Sequence, residues 1–151
     1  MGISTSAKLP IRYNVGMKYI LVKKLNKQQV NDLHILYQNE WWTNTRTKKE
    51  IKTMLCHTDI LIGIVNKKGK LIGFARVLTD RVFKAEIYDV IVHPKYRDKG
   101  LGRVLMDAIL QHKKLKRVKQ FNLQCLPEMV GYYEQWGFAG QGDLVYVRYS
   151  R

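Results

Sequence analysis

Two hydrophobic spacings alternate along the chain. A short β-rich run, Tyr19-Ile20-Leu21-Val22, predicts a first strand, and Val30, Leu33, Leu36 and Tyr37 then recur at helical spacing. That spacing predicts a helix over about Lys27–Gln38, with Asn26 as its N-cap. A second short helix carries Ile51, Met54 and Leu55. Residues 60–65 and 71–79 are apolar and β-rich, and the glycine-bearing stretch 66–70 between them predicts a hairpin. Asp80-Arg81 turns the chain into a strand over residues 86–92, which ends at His93-Pro94. Past Gly100, the residues Leu101, Val104, Leu105, Ala108 and Ile109 form an apolar stripe that buries one helix face. Residues 120–125 alternate polar and apolar; a strand reached through a helix should lie parallel to the strand before it. One more helix and a final hairpin, with its last strand at 144–149, complete the order.

Composition adds bounds. A chain of 151 residues, 46% hydrophobic, is the size of one domain with one core. Residues 1–14 lack periodicity and read as an N-terminal tail, and 15–151 as a single domain. Met1-Gly2 with Ser6 fits a myristoylation pattern, and no acid appears before Asp32, as in transit peptides. Both patterns arise easily by chance, so the expected location is cytoplasmic. The formal net charge of +15 should attract polyanions, but the charges are spread along the chain. Nucleic acid is therefore not expected as the main partner, and no membrane association is expected. The basic residues His112, Lys113, Lys114, Lys116, Arg117 and Lys119 read first as a solvated helix end. Cys56 and Cys125 lie far apart without metal-ligand spacing, which argues for a reducing compartment and no metal. Both are expected to be small hydrophobes.

The chemistry centres on residues 86–103, EIYDVIVHPKYRDKGLGR. Strand, tight turn and helix follow one another, and Arg97, Gly100 and Gly102 stand as Arg-x-x-Gly-x-Gly. Missing side chains let a ligand approach backbone N–H groups that still lack helical partners, which suits phosphate. The turn has no Gly-Lys-Ser/Thr ending, and Leu105 replaces the third glycine of a Rossmann turn. Downstream comes Tyr132-Tyr133-Glu134-Gln135-Trp136-Gly137-Phe138. Together the two segments resemble the GNAT superfamily of acyl-CoA-dependent N-acetyltransferases. There an Arg/Gln-x-x-Gly-x-Gly/Ala turn holds the coenzyme pyrophosphate, and a Tyr-x-x-x-Gly-Phe segment follows. The resemblance covers roughly residues 71–138.

The resemblance implies an α/β (α+β) fold: a mixed, mostly antiparallel sheet of six to seven strands with about four helices, its central strands splayed at the acyl-CoA site. It implies acetyl-CoA as cosubstrate and a primary amine as acceptor, with the acetyl group passing by direct attack in a ternary complex. Backbone at Val90, Ile91 and Val92 would pair with pantetheine. The N–H groups of Asp98, Lys99, Gly100, Leu101, Gly102 and Arg103 would hold the pyrophosphate, with Arg97, Lys99 and Arg103 as charge partners. Tyr133 corresponds to the general acid that protonates the departing thiolate; Tyr132 is assigned to the core. Where many members carry an Asn and then an Ala, this chain has Cys125-Leu126-Pro127-Glu128-Met129. The helix-helix connection, with Trp41, Trp42 and Arg46, would line the acceptor pocket, although the tryptophans could equally staple the two helices. For the base, Glu86 is favoured over Asp89. Three residues apart, they face opposite ways on a regular strand, unless a β-bulge reverses the parity. An ion pair of Glu86 with Lys84 or Arg76 is the structural alternative. Readings from other classes are a noncatalytic acyl-CoA-binding module and a basic protein docking on RNA or ribosomes. The amine itself is not legible, and a homodimer is left open.

Overall fold

The structure is a computed structural model that describes the backbone of residues 12–14, 17–141 and 144–150 and the side chains of residues 18–140. Eight strands form one sheet: β1 (Arg12–Asn14), β2 (Met17–Val22), β3 (Ile60–Asn66), β4 (Leu71–Thr79), β5 (Lys84–Val92), β6 (Gln120–Gln124), β7 (Ala139–Gln141) and β8 (Leu144–Ser150). Their order is β1-β2-β3-β4-β5-β6-β8-β7, and every pairing is antiparallel except β5 with β6. Four helices accompany it: α1 (Lys27–Gln38), α2 (Lys48–Cys56), α3 (Leu101–Leu110) and α4 (Val130–Glu134). This is the expected mixed α/β class with its parallel crossover. The sheet gains a strand at Arg12–Asn14, within the stretch read as tail; residues 1–11, with the myristoylation pattern, lie outside the described residues.

Local chemistry sets the boundaries. Asn26 caps α1 by accepting from the Gln29 N–H at 2.9 Å, and the Gln29 side chain accepts from the Asn26 N–H at 3.0 Å. Thr47 and Glu50 repeat this capping box at α2. In the hairpin loop, Asn66 Oδ1 accepts from the N–H groups of Lys68 and Lys70. Asp80 Oδ1 gathers those of Val82, Phe83 and Lys84 to start β5.

Two apolar layers flank the sheet. On one face Leu33, Leu36 and Tyr37 of α1 and Ile51 of α2 pack on Val65, Leu71, Phe74 and Ile91. On the other, Leu101, Leu105, Met106 and Ile109 of α3 cover Ile62, Ile64, Val77 and Ile87, joined by Phe121, Leu123, Tyr133 and Phe138. Cys56 is exposed at the C-terminal end of α2 rather than in the core, because Ile51 already fills that helix's buried face.

One polar contact docks α1 onto the sheet. Buried Asp32 accepts from the Leu71 N–H at 3.0 Å, at the start of β4, and from Gln28 Nε2 at 3.2 Å. Asp32→Ala should cost about 1–3 kcal/mol, because it strands a buried N–H. Asp32→Asn, which keeps an acceptor oxygen, should cost less. Urea unfolding of the two variants measures the difference; equal stability of the alanine variant and the wild type would mean that the N–H finds another partner.

Candidate active site

The site begins where two parallel strands part. β5 and β6 are in register from Lys84↔Gln120 to Ile87↔Leu123, and the pairing then stops while β5 runs on to Val92. On its other edge β5 carries a bulge against β4: Arg76↔Tyr88 is followed by Phe74↔Ile91, so three residues of β5 span two of β4. Asp89 sits in the bulge with φ 56°, a left-handed conformation that aspartate adopts more readily than most residues. The extra residue reverses the parity of the strand. Ala85 and Ile87 face the α3 layer, and so do Val90 and Val92 beyond the bulge, whereas Asp89 and Ile91 face α1. Glu86 and Asp89 therefore lie on the same face, as the bulge allowed and a regular strand would not. Val90 has no register partner on β4 and lies beyond the last β6 pair.

Asp89 is 7% exposed and fully engaged. Its Oδ2 accepts from the Tyr37 hydroxyl at 2.8 Å, Arg46 at 2.8 Å and Arg76 Nε at 2.7 Å, and its Oδ1 accepts from Arg46 at 3.3 Å. Burial opposes ionisation, but the hydrogen bonds and charges of Arg46 and Arg76 outweigh it and hold the carboxyl below the usual carboxylate range. Burial, and then the adjacent carboxylate, push the Tyr37 phenol well above its ordinary value. Arg46 also lies 4.6 Å from the Tyr37 ring centroid. The charge of Arg46 is thus matched inside the protein. From the sequence Tyr37 is placed only on the apolar face of α1 and Arg76 is considered only as a partner of Glu86, so neither is connected with Asp89.

Glu86 is half-buried one pair before the strands part, and its register partner on β6 bonds to it: Asn122 Nδ2 donates to Glu86 Oε1 at 2.5 Å. The ion pair with Arg76 considered from sequence is replaced by that of Arg76 with Asp89, and Arg76 also lies over the exposed ring of Tyr88 at 4.7 Å. Trp41 and Trp42 are 71% and 42% exposed, so neither staples the helices. The connection is instead anchored by buried Thr43, whose hydroxyl donates to the Tyr37 carbonyl at 2.9 Å.

On the far side of the parting strands lies the turn. Asp98 (φ 59°) and Gly100 (φ 77°) are both left-handed, and Gly100 starts α3 without a side-chain cap. Left-handed residues in such a turn point successive N–H groups into a concavity suited to an anion. Arg97 Nε donates to the Val92 carbonyl at 3.1 Å, and its guanidinium pairs with Glu40 of the α1–α2 connection. Arg103 bonds to Gln135 and lies over Trp136. Lys99 lies 5.5 Å from the ring centroid of Tyr96. Leu101 is buried, and its part in the turn is played by its backbone.

Tyr133 of α4 is 7% exposed and packs its ring on Phe138 (centroids 6.3 Å), Tyr132 and Trp136. Among the described residues its hydroxyl has no hydrogen-bond partner. Burial, then Tyr132 and half-buried Cys125 at the end of β6, raise its pKa, so it stays protonated at neutral pH. Tyr132, expected in the core, is 37% exposed: α4 is one short turn, and only Tyr133 of the pair points inward.

Removing the carboxylate that the two arginines share should be costly. Asp89→Asn is expected to lose about 3–5 kcal/mol in chemical unfolding at neutral pH. Because the folded pKa is depressed, the contribution is complete above the unfolded value of about 3.9 and fades as pH falls through the folded one. The gap between wild type and variant should therefore be flat from about pH 5 to 7 and close in acid; a gap that persists undiminished would assign the loss to packing.

Comparison with known proteins agrees with this geometry. Residues 27–138 match the model of the acetyltransferase (GNAT) family. The uncharacterized N-acetyltransferase ycf52 of Pyropia yezoensis is 32% identical over 134 residues, 87% of this chain and 76% of that protein. Serotonin N-acetyltransferase 2, chloroplastic, of Oryza sativa is 30% identical over 103 residues, 66% of this chain and 52% of its own length. A solved GNAT-family structure from Xanthomonas campestris superposes with a TM-score of 0.70 at 25% identity, covering 82% of this chain and 85% of that one. With strands that part, an uncapped helix start and a tyrosine buried in the α3 layer, the chain belongs to the acetyltransferase (GNAT) family.

Proposed function

We propose that the protein transfers an acetyl group from acetyl-CoA to a primary amine by direct attack within a ternary complex. The observation that carries this reading is the parting of β5 and β6 after Ile87 and Leu123, with Tyr133 packed on one face of the sheet and Glu86 lying on the other. The turn from Asp98 to Arg103 suits the pyrophosphate, with Arg97, Lys99 and Arg103 as nearby cations, and the free edge of Val90, Ile91 and Val92 suits an extended pantetheine arm.

Aminolysis then needs three things: a neutral amine, a donor for the carbonyl oxygen and a proton for sulfur. The amine approaches from the α1 face, where Glu86 takes its proton directly or through a water. A backbone N–H of the bulged stretch polarises the carbonyl while the new C–N bond forms. The C–S bond breaks, and Tyr133 delivers its proton to the thiolate. The phenol regains a proton from solvent and Glu86 releases one, so the sum is amine plus thioester to amide plus thiol. Asp89 is disqualified as base by the two guanidinium groups bonded to it; its part is to hold the bulge. Arg46 serves the same buried cluster, while Trp41, Trp42 and Tyr88 present exposed aromatic surface on the acceptor side.

A thiol-release assay over a panel of amines, including serotonin, polyamines, lysine and N-terminal peptides, tests the proposal. Acetyl-CoA binding without turnover on any amine would leave a coenzyme-binding module instead. Tyr133→Phe should lower kcat by about a hundredfold to ten-thousandfold with coenzyme affinity nearly intact. Glu86→Gln should depress kcat/KM for the best amine with coenzyme affinity nearly intact. Wild-type turnover of the first variant under chemistry-limited conditions would return Tyr133 to a packing role, and an unchanged kcat/KM of the second would mean that the amine arrives neutral.

A further inference from the structure

Gly102 raises a question that the turn alone does not answer. It is the second residue of α3 and has no positive φ, so its backbone does not require glycine. A Cβ built on Gly102 meets the Tyr132 hydroxyl oxygen at 2.6 Å and its Cζ at 3.7 Å, and no other described atom within 4 Å outside its chain neighbours and its own helix backbone. The first contact is closer than real Cβ atoms come and the second is ordinary, so alanine fits only if the Tyr132 hydroxyl is pushed aside.

Tyr132 is held in that position. Its ring packs edge-on against Tyr133 (5.1 Å) and Trp136 (5.2 Å), and Trp136 is fixed by donating Nε1–H to Asp107 at 2.8 Å. Among the described residues the Tyr132 hydroxyl has no hydrogen-bond partner. Its surroundings are the first turn of α3, which no side chain caps, and Arg103, whose charge acts on the phenol. Burial raises the phenol's pKa and Asp107 adds to this, against the pull of Arg103, so the group remains a donor at neutral pH. The donor hydroxyl thus stands beside the first turn of α3, whose start no side chain caps and whose third residue carries the guanidinium of Arg103. An oxyanion with several acceptor lone pairs satisfies all three at once.

We propose that Tyr132 is a coenzyme-positioning residue: its hydroxyl donates to the pyrophosphate at the start of α3, and Gly102 is glycine to leave room for that oxygen. The inference rests on the reading of the turn as the pyrophosphate site. It differs from the role of Tyr133, which acts on sulfur.

Calorimetric titration of coenzyme A, 3′-dephospho-coenzyme A and pantetheine separates the outcomes. Tyr132→Phe should weaken the first two about tenfold to a hundredfold, as expected for one hydrogen bond to a charged group, and leave pantetheine unchanged. Gly102→Ala should lower Tm in the wild-type background and raise it in the Tyr132→Phe background, where the collision is gone and alanine favours the helix. Unchanged coenzyme affinity in Tyr132→Phe overturns the proposal, as does a loss shared equally by pantetheine. A penalty that vanishes with 3′-dephospho-coenzyme A also overturns it, because the contact would then lie on the ribose phosphate. Failure of the underlying reading looks different: wild-type protein would not bind coenzyme A, or Gly100→Val, strained at φ 77°, would bind it as well as wild type.

Discussion

A single carboxylate, that of Asp89, holds the strand in the shape on which the site depends. A non-glycine residue in the left-handed region costs of order 1 kcal/mol and persists only where its surroundings enforce it. Here enforcement comes from four hydrogen bonds, contributed by α1 (Tyr37), the α1–α2 connection (Arg46) and β4 (Arg76). Together they fix the bulge, and the bulge turns Val90 and Val92 toward the α3 layer. Without the inserted residue, Val90 would face α1 and Asp89 would be driven into the apolar packing of Ile87 and Leu105. The change of face along β5 is thus tied to charge placed under the sheet on its α1 side.

The same cluster explains why a strongly basic chain does not simply crowd its site with free cations. Arg46 and Arg76 are matched to Asp89, Arg97 to Glu40, and Arg103 is held by Gln135 and Trp136. Pairing orients each guanidinium before a ligand arrives, and the exposed pairs are the ones that can exchange. An exposed ion pair such as Arg97–Glu40 is worth about 1 kcal/mol or less, so a doubly charged phosphate group can displace Glu40 at small cost. The buried pair under Asp89 cannot be exchanged so cheaply.

Much of this was legible in the sequence. Periodicity located α1, the β3–β4 hairpin and the parallel crossover, and Asn26 marked its helix start, because these features are local and each residue acts through its own spacing or backbone. The strand, glycine turn and helix start were legible for a related reason, whereas Tyr133 was singled out only by the resemblance of its segment to the family's Tyr-x-x-x-Gly-Phe pattern. What could not be read depended on contacts between distant segments. Nothing near Trp41 and Trp42 shows that Thr43 would be the buried anchor, and nothing near Cys56 shows that Ile51 saturates its helix's inner face. The pairing of Glu86 with Asn122 needs the register of two parallel strands, which spacing does not give. Tyr132 was misplaced because apolar content suggests burial, whereas the short α4 has room to bury only one of two adjacent tyrosines.

The two faces of the sheet divide the labour in a way that follows from how each ligand is recognised. On the α3 side, phosphate and pantetheine would meet mostly backbone N–H and C=O groups, whose positions are set by the bulge, the turn and the helix start rather than by side-chain identity. Such a surface tolerates extensive sequence change provided that the backbone path survives, and the fold as a whole is kept at 25% identity to the Xanthomonas campestris structure, with a TM-score of 0.70. On the α1 side the groups on offer are side chains: half-buried Glu86 and exposed Tyr88, Trp41 and Trp42. Recognition there depends on which residues are present, so it can vary while the coenzyme path stays fixed. Asp89 joins the two faces, since the carboxylate that organises the α1 side also sets the backbone that, on the proposed function, would meet the thioester. Substitutions around the proposed acceptor side that leave this carboxylate and its arginines intact would then change the amine without moving the carbonyl to be attacked.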